Sequence, residues 1–448
     1  MRISVIGLGK LGSPMAACFA AKGFTTIGVD LNEAYVEAIN EGRAPVFEPG
    51  LAEMLAEGRA CLTATTDTVE AVAQTDATFL IVPTPSEQDG GFSLRYVLAA
   101  CESIGRALQD KEGYHLVVLT STVMPGSTGG PVREALEEAS GKRAGADFGL
   151  CYSPEFIALG SVIRDFLHPD FLLIGESDER AGAALADIYR KAIDNDAPVA
   201  RLNFVNAELA KISVNTFVTT KIAFANMLAR ICERLPEASV DEVTSALGLD
   251  SRIGAKYLRG AISYGGPCFP RDNIALASLA RALGTSAHLA EATDASNRDG
   301  IQRLADLVAG KLPEGGTVAV LGLAYKPDTD VVEESPGLHL VRALADRGVD
   351  VVAFDPAAGP NAKIALGSID VRFPVSAIAA VHEADVVVIT TPWQEFAALD
   401  GAAFARPGEP RVLIDCWRIL TPDQLDGAAQ YVALGESSSS ATALDPRS

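Results

Sequence analysis

The 448-residue chain is poor in aromatic residues, which make up 6% of it with only 2 Trp. That scarcity argues against a β-sandwich, and 40 glycines suit Gly-rich turns between β and α elements better. Positive charge is also in deficit: 37 Lys and Arg against 58 Asp and Glu leave a net charge of −21. A field of that sign repels nucleic acid and anionic membrane and favours solubility. An anionic substrate would then need basic contacts concentrated locally. Cysteines number 7, odd and widely scattered, which does not read as a disulfide framework. No apolar run reaches the roughly 20 residues that a bilayer span needs. The first residues, MRISVIG, already read as a strand without a basic n-region or cleavage site, so no signal peptide is expected. His115, His168, His288, His339 and His382 show no ligand spacing with one another or with cysteine, so no metal is expected. Together these absences describe a reduced, soluble, cytoplasmic protein. What is present, 48% hydrophobic and 21% charged residues, is a globular mix that excludes disorder, collagen and coiled coil. The length predicts roughly three domains at about 150 residues each.

Apolar MRISVIG, the turn GLGKLG, the helical run SPMAACFAAKG and the strand TTIGVD ending at Asp30 form a βαβ unit. Alternation continues through TDATFLIVPTP (75–85), YHLVVLTSTVMPG (114–126) and FGLCYSPEF (148–156). From Asn206 to about Leu235 a helical pattern runs without Gly or Pro, long enough for a spine between domains or a dimer contact. A second βα series follows in VAVLGLAYKP (318–327), VDVVAFDP (349–356) and EADVVVITTP (383–392). It echoes the first in order more than in sequence. The expected fold class is α/β, with two Rossmann-like doubly wound domains joined by a central helical domain carrying one long helix. The boundaries expected are 1–198, 199–297 and 298–434, with a mobile tail over 435–448.

Gly7-x-Gly9-x-x-Gly12 follows a strand and opens a helix. The first glycine allows the tight turn, the second admits a pyrophosphate, and the third permits close helix packing. Asp30 ends the second strand, 18 residues past Gly12, where a carboxylate accepts from adenosine ribose hydroxyls and repels a 2′-phosphate. NAD is therefore expected over NADP.

Gly265-Gly266-Pro267-Cys268-Phe269-Pro270-Arg271-Asp272 holds one cysteine between rigid flanks. Free cysteine is commonly just buried packing, yet packing does not need such flanks. A lone cysteine in a dehydrogenase can form a thiohemiacetal with an aldehyde and then a thioester. Lys211, Asn215 and Thr219 fall at i, i+4 and i+8 on the long helix. The stripe reads either as a solvent face or as buried donors for a developing oxyanion. Glu155, in Ser153-Pro154-Glu155-Phe156, sits at a strand end and reads as a base or as an ordinary surface acid.

With these residues in hand, the sequence resembles the UDP-glucose/GDP-mannose dehydrogenase family over roughly 1–425. The resemblance rests on GLGKLG, PVFEPGL (45–51), STVMPGST (121–128), SPEF (153–156), AELAKISVNTF (207–217), GGPCFPRD (265–272) and LGLAYKPDTD (321–330). It implies an N-terminal NAD-binding Rossmann domain, a central helical dimerisation domain and a C-terminal nucleotide-binding domain. It also implies oxidation of a sugar 6-hydroxyl to a carboxylate with two NAD⁺. Carried over by motif, Cys268 is the nucleophile, Lys211 and Asn215 are oxyanion partners, and Asp272 and Thr122 hold a catalytic water. Glu155 is the base for thioester hydrolysis. Cofactor contacts are expected from Gly7, Gly9, Lys10, Leu11, Gly12, Asp30, Thr84, Pro85 and Thr122. Substrate contacts are expected from Glu155, Phe156, Lys211, Asn215, Tyr257, Tyr264, Gly265, Tyr325, Lys326 and Arg418. Arg252 and Arg259 are expected on the sugar or diphosphate, the family's arginine coming from the neighbouring subunit of a homodimer.

Three departures stand out. Leu159 replaces an acid four residues after Glu155, Glu333 replaces an arginine tied to the cofactor, and Pro267 replaces a small polar residue. The motif around the cysteine resembles the UDP-glucose branch more than the N-acetylhexosamine branch. UDP-N-acetylhexosamine, UDP-galactose or GDP-mannose are the alternative substrates, and a silent dinucleotide-binding regulator is the alternative class.

Overall fold

A computed structural model describes residues 1–437, so residues 438–448 of the expected tail lie outside the description. The chain divides into two compact units, Met1–Val214 and Asn215–Ser448, the division falling inside the long helix. That helix spans Phe204–Cys232, and Asn203 caps it by accepting the Asn206 N–H at 2.9 Å.

In the first unit an eight-stranded sheet is built from β1 (Arg2–Ile6), β2 (Thr25–Val29), β3 (Leu62–Thr65), β4 (Ala77–Leu80), β5 (Leu116–Leu119), β6 (Gly149–Tyr152), β7 (Leu172–Glu176) and β8 (Val199–Leu202). Their order is β3-β2-β1-β4-β5-β6-β7-β8. All neighbours are parallel except β6 and β7. β4, β5 and β6 are buried at every position, as a sheet covered on both faces requires. β8 pairs with β7 from Val199 to Leu202, so the first domain extends past the boundary expected at 198.

In the second unit β9 (Thr317–Leu321), β10 (Asp350–Phe354), β11 (Val386–Ile389), β12 (Arg411–Asp415) and β13 (Ala429–Ala433) form a parallel sheet in the order β10-β9-β11-β12-β13. The helices of the central segment share this unit. Arg418 helps to hold them: its guanidinium donates to both Asp241 oxygens at 2.7 and 2.8 Å, to Gly260 O at 2.6 Å and to Leu434 O. Gly435 N–H donates to Glu233 Oε1 at 3.0 Å and Ser437 N–H to Ala238 O at 3.0 Å. Residues 435–437 are thereby pinned to the fold, against the expectation of a mobile tail from 435. Among the described residues no helix is long and apolar enough to cross a membrane.

Candidate active site

The glycine loop fits the three roles its spacing assigns. Gly7 has φ +98°, and a Cβ there would fall 2.0 Å from Ile81 O. A Cβ on Gly12 would fall 1.7 Å from Gly7 O, so helix and strand close only on glycine. Beside Gly9 the same test meets nothing within 4 Å, which is the room a pyrophosphate needs to approach the backbone. Asp30 is half-buried and accepts N–H bonds from Leu8 at 2.7 Å and Asn32 at 2.8 Å. A carboxylate has about four acceptor sites, so about two remain for ribose hydroxyls. The loop and Asp30 therefore fit a bound dinucleotide.

The second unit repeats this frame and closes it. Gly322 (φ +109°) donates to Phe354 O as Gly7 donates to Val29 O, and a Cβ on Gly337 would fall 2.1 Å from Gly322 O. Asp355 occupies the place of Asp30. Its carboxylate, however, is buried and takes N–H bonds from Leu323, Ala324, Ala357, Ala358 and the Trp393 indole. No acceptor site is left on Asp355 for a ribose.

The loops after β4 and β5 carry Thr84, Pro85 and Thr122. Thr84 Oγ1 donates to Thr122 O at 2.7 Å, and Ser121 Oγ both accepts from Val82 N and donates to Val82 O. Sequence reasoning missed the acid that holds the end of this segment. Glu208, fully buried on the long helix, accepts from Gly126 N at 2.6 Å and Thr128 N at 2.7 Å. Burial raises its pKa and those bonds oppose the rise. Its only signal in the sequence is an acid within an apolar helix, three residues before Lys211. Glu48 of PVFEPGL was missed in the same way: it accepts from Gly160 N and Val162 N, both at 2.8 Å, and anchors the segment after SPEF.

Lys211 is buried, donates from Nζ to the Glu155 backbone O at 2.6 Å, and lies 4.6 Å from the Phe156 ring centre. Glu155 Oε1 is buried without a hydrogen-bond partner. Burial pushes the Glu155 pKa up to about 7, with the Lys211 charge and the Tyr189 hydroxyl opposing. An acid so placed exchanges a proton near neutral pH, which is what a general base requires. With Thr219 also fully buried, the Lys211–Asn215–Thr219 stripe is not a solvent face.

In the second unit Cys268 is exposed at the N-cap of the helix Phe269–Ala282, whose dipole favours an anion at that end. Cys18, Cys101, Cys151, Cys232 and Cys416 are buried and Cys61 is intermediate, so Cys268 alone is exposed. Asp272, 1% exposed in the first turn, accepts from Asn215 Nδ2 at 2.6 Å and lies 3.5 Å from Arg271 Nε. Asn215, expected as an oxyanion donor, thus directs an amide N–H to Asp272. Asn273, also missed, donates to Thr219 Oγ1, the Tyr264 hydroxyl and Phe269 O, and knits the helix to the turn before it. Gly265 and Gly266 are indispensable there: a Cβ would fall 2.1 Å from Glu334 O and 2.7 Å from the Tyr325 ring.

Several expected substrate residues already have partners within the chain. Tyr264 is buried, edge-on to Phe269, and supports the cysteine turn instead of lining an open pocket. Arg252 pairs with Asp250 at 2.6 Å with its side chain 87% exposed. Arg259 donates to Trp417 O at 2.7 Å. Arg418, 4% exposed at its side chain, is spent on the bonds described above, which corrects its expected place in the pocket wall. Tyr257 (φ +62°) is exposed beside Phe269, and Lys326 lies 6.0 Å from the Tyr325 ring centre.

Comparison with known proteins gives one consistent result. Three profiles of the UDP-glucose/GDP-mannose dehydrogenase family match: the NAD binding domain at residues 1–193, the central domain at 205–299 and the UDP binding domain at 319–422. The UDP-glucose 6-dehydrogenase AglM of Haloferax volcanii is 41% identical over 94% of this chain and 97% of its own. A GDP-mannose 6-dehydrogenase of Azotobacter vinelandii is 38% identical over 79% of this chain and 81% of its own. A UDP-glucose dehydrogenase structure from Pyrobaculum islandicum superposes with TM-score 0.88 at 36% identity, covering 97% of this chain and 98% of that one.

Proposed function

The chain belongs to the UDP-glucose/GDP-mannose dehydrogenase family, an NAD-dependent nucleotide-sugar 6-dehydrogenase, and we propose that it converts UDP-glucose to UDP-glucuronate through a covalent Cys268 intermediate. Relatives named for UDP-glucose and similar along nearly the whole chain support this substrate over GDP-mannose, whose relatives match over a shorter span. NAD⁺, which the glycine loop and Asp30 would hold, would supply the hydride acceptor for two successive oxidations of the sugar. The first leaves a 6-aldehyde. The Cys268 thiolate adds to its carbonyl carbon, and a proton joins the oxygen to give a thiohemiacetal. Lys211 and Asn215 stabilise the negative oxygen of that step. Loss of the second hydride and the hydroxyl proton leaves a thioester. Glu155 takes a proton from water, the hydroxide adds to the acyl carbon, and the thiolate leaves as the carboxylate forms. Asp272 and Thr122 hold that water.

The observation that carries this reading is Cys268, exposed at a helix N-terminus while the other cysteines are buried or partly so. The test is stoichiometry over a panel of nucleotide sugars. Two NADH per UDP-glucose are expected, and Cys268→Ser stops acid formation in a folded protein. One NADH per sugar, or full turnover to the acid in that variant, overturns the covalent scheme. Preference for another sugar keeps the chemistry and changes the substrate.

We also propose a homodimer. Exposed Phe217, Phe224 and Ile231 repeat every seven residues along the long helix. Phe224, Met227, Ile231 and Leu289 line an open groove of about 650 Å³. A second copy covers such an apolar face. The site of action proposed is the cytoplasm, where free thiols stay reduced.

A further inference from the structure

Residues 261–264 lead into the cysteine turn, and side-chain amides satisfy their backbone in place of a neighbouring strand. Asn226, on the long helix, accepts from Ala261 N at 2.8 Å and donates to Ile262 O at 2.9 Å. Asn297, on the helix His288–Ala309, accepts from Tyr264 N at 2.8 Å and donates to Tyr264 O at 2.9 Å. Tyr264 is thereby a fixed post at the entrance to the turn. Gly265, Gly266, with φ +89°, and Pro267 follow before Cys268. Two adjacent glycines give the backbone a freedom that a nucleophile has to lose before it can be placed.

Asn273 bridges this turn. It is 1% exposed in the second turn of the helix Phe269–Ala282. Its Nδ2 donates to the Tyr264 hydroxyl at 3.0 Å and to Phe269 O at 3.1 Å, one on each side of Cys268. The same nitrogen donates to Thr219 Oγ1 at 3.0 Å, so three oxygens gather round it and fix which way the amide points. The helix itself does not call for an amide there. Asn is a poor residue for a helix interior, its burial is costly unless bonded, and a bond back to the carbonyl four residues earlier competes with the helix ladder. What the amide does achieve is a tie between the first turn of the helix and the Tyr264 post.

We propose that Asn273 is a positioning residue for the nucleophile: it ties the arm leaving the turn to the anchored Tyr264 and so holds the Cys268 thiolate in line with the 6-aldehyde carbon. The proposal rests on Cys268 forming the covalent intermediate. The first hydride transfer acts on the alcohol before the sulfur bonds to anything and does not need the tie. The second oxidation does need it, because addition of the sulfur to the carbonyl carbon depends on placement. A misplacement near 1 Å costs about 10²-fold.

The test compares the two oxidations in the wild type, Asn273→Leu and Tyr264→Phe. The rate of the first NADH formed from UDP-glucose reads one. NADH formation from the 6-aldehyde of UDP-glucose, supplied with NAD⁺, reads the other. Leu keeps the branched shape and removes the donors, so the second rate falls about 10²-fold while the first rate and KM for NAD⁺ stay. Tyr264→Phe removes one contact, and the ratio of second to first rate falls about 3- to 10-fold, the rate equivalent of one hydrogen bond. A role confined to stability lowers both rates alike. A ratio that stays or rises in Asn273→Leu overturns the proposal. If that variant does not fold, Tyr264→Phe decides on the same ratio. Cys268→Ser separates the two layers. Full oxidation of the aldehyde in that variant removes the covalent reading itself. Loss of it there, with an unchanged ratio in Asn273→Leu, leaves that reading standing and removes the tie.

Discussion

Replacing Asp30 by Asn tests how the enzyme chooses its cofactor. Asp30 meets Leu8 N–H and Asn32 N–H with one oxygen each. Asn keeps one acceptor oxygen, so one of those bonds survives and the fold loses about 1 kcal/mol. The ribose loses a charged acceptor, worth about 1.5–3 kcal/mol, which lowers kcat/KM for NAD⁺ by roughly 10- to 150-fold. NADP⁺ responds the other way. One phosphate charge about 4 Å from the carboxylate is opposed by about 4 kcal/mol at an effective dielectric near 20. Removing that repulsion lifts kcat/KM for NADP⁺ by up to about 10³-fold, less whatever solvent screening already took. The ratio of the two constants therefore falls by several decades. Initial rates of NADH and NADPH formation at matched UDP-glucose measure it, with thermal unfolding as the control for the Leu8–Asp30 bond. An intact fold with an unchanged ratio means that Asp30 serves the glycine loop and not the ribose, which refutes the reasoning. Asp355→Asn makes a companion, because its saturated carboxylate faces no ribose and its loss leaves the ratio where it is.

Glu155→Gln keeps the shape but not the base, so NADH forms in a burst and turnover then falls about 10²- to 10⁴-fold with the acyl group on Cys268. Intact-mass analysis after mixing with substrate shows the adduct, and steady turnover without one contradicts the assignment. Since burial pushes Glu155 to about 7, the base is ionised above that pH, and wild-type kcat falls about tenfold per unit well below it. His115 is buried between Thr78 and Thr75 O, and burial pushes it down to about 3 from an ordinary value near 6.5. The folded state thus resists a proton that the unfolded chain accepts. Its contribution is present above about pH 6.5 and is lost as pH falls toward 3, by up to about 5 kcal/mol. Urea unfolding at stepped pH reads that slope, and His115→Gln flattens it. Phe224→Glu places a charge in the apolar groove and is expected to convert the proposed dimer to monomer by light scattering; an unchanged mass refutes this groove as the dimer interface.

What the sequence determined by itself is local. GLGKLG and Asp30 announce the first βαβ unit because a tight turn, a close backbone approach and a strand-end acid are constraints on neighbouring residues. The long helix is legible because no Gly or Pro interrupts it. Cys268 is marked by the glycines and prolines around it, and the resemblance assigned it a role. What only the tertiary structure decided depends on partners far along the chain. Glu208 meets Gly126 across 82 positions and Glu48 meets Val162 across 114, so neither acid could be told from a surface charge. Asp30 and Asp355 end similar strands, yet only folding shows that one retains acceptor sites and the other is saturated. Arg418 looked free for an anion until Asp241, 177 positions away, was seen to claim it. β8 appeared to lie past its domain because strand pairing, not composition, sets that edge. Tyr189 carries no motif at all, and only folding buries it against Ser153, 36 positions away, where no water replaces a missing partner.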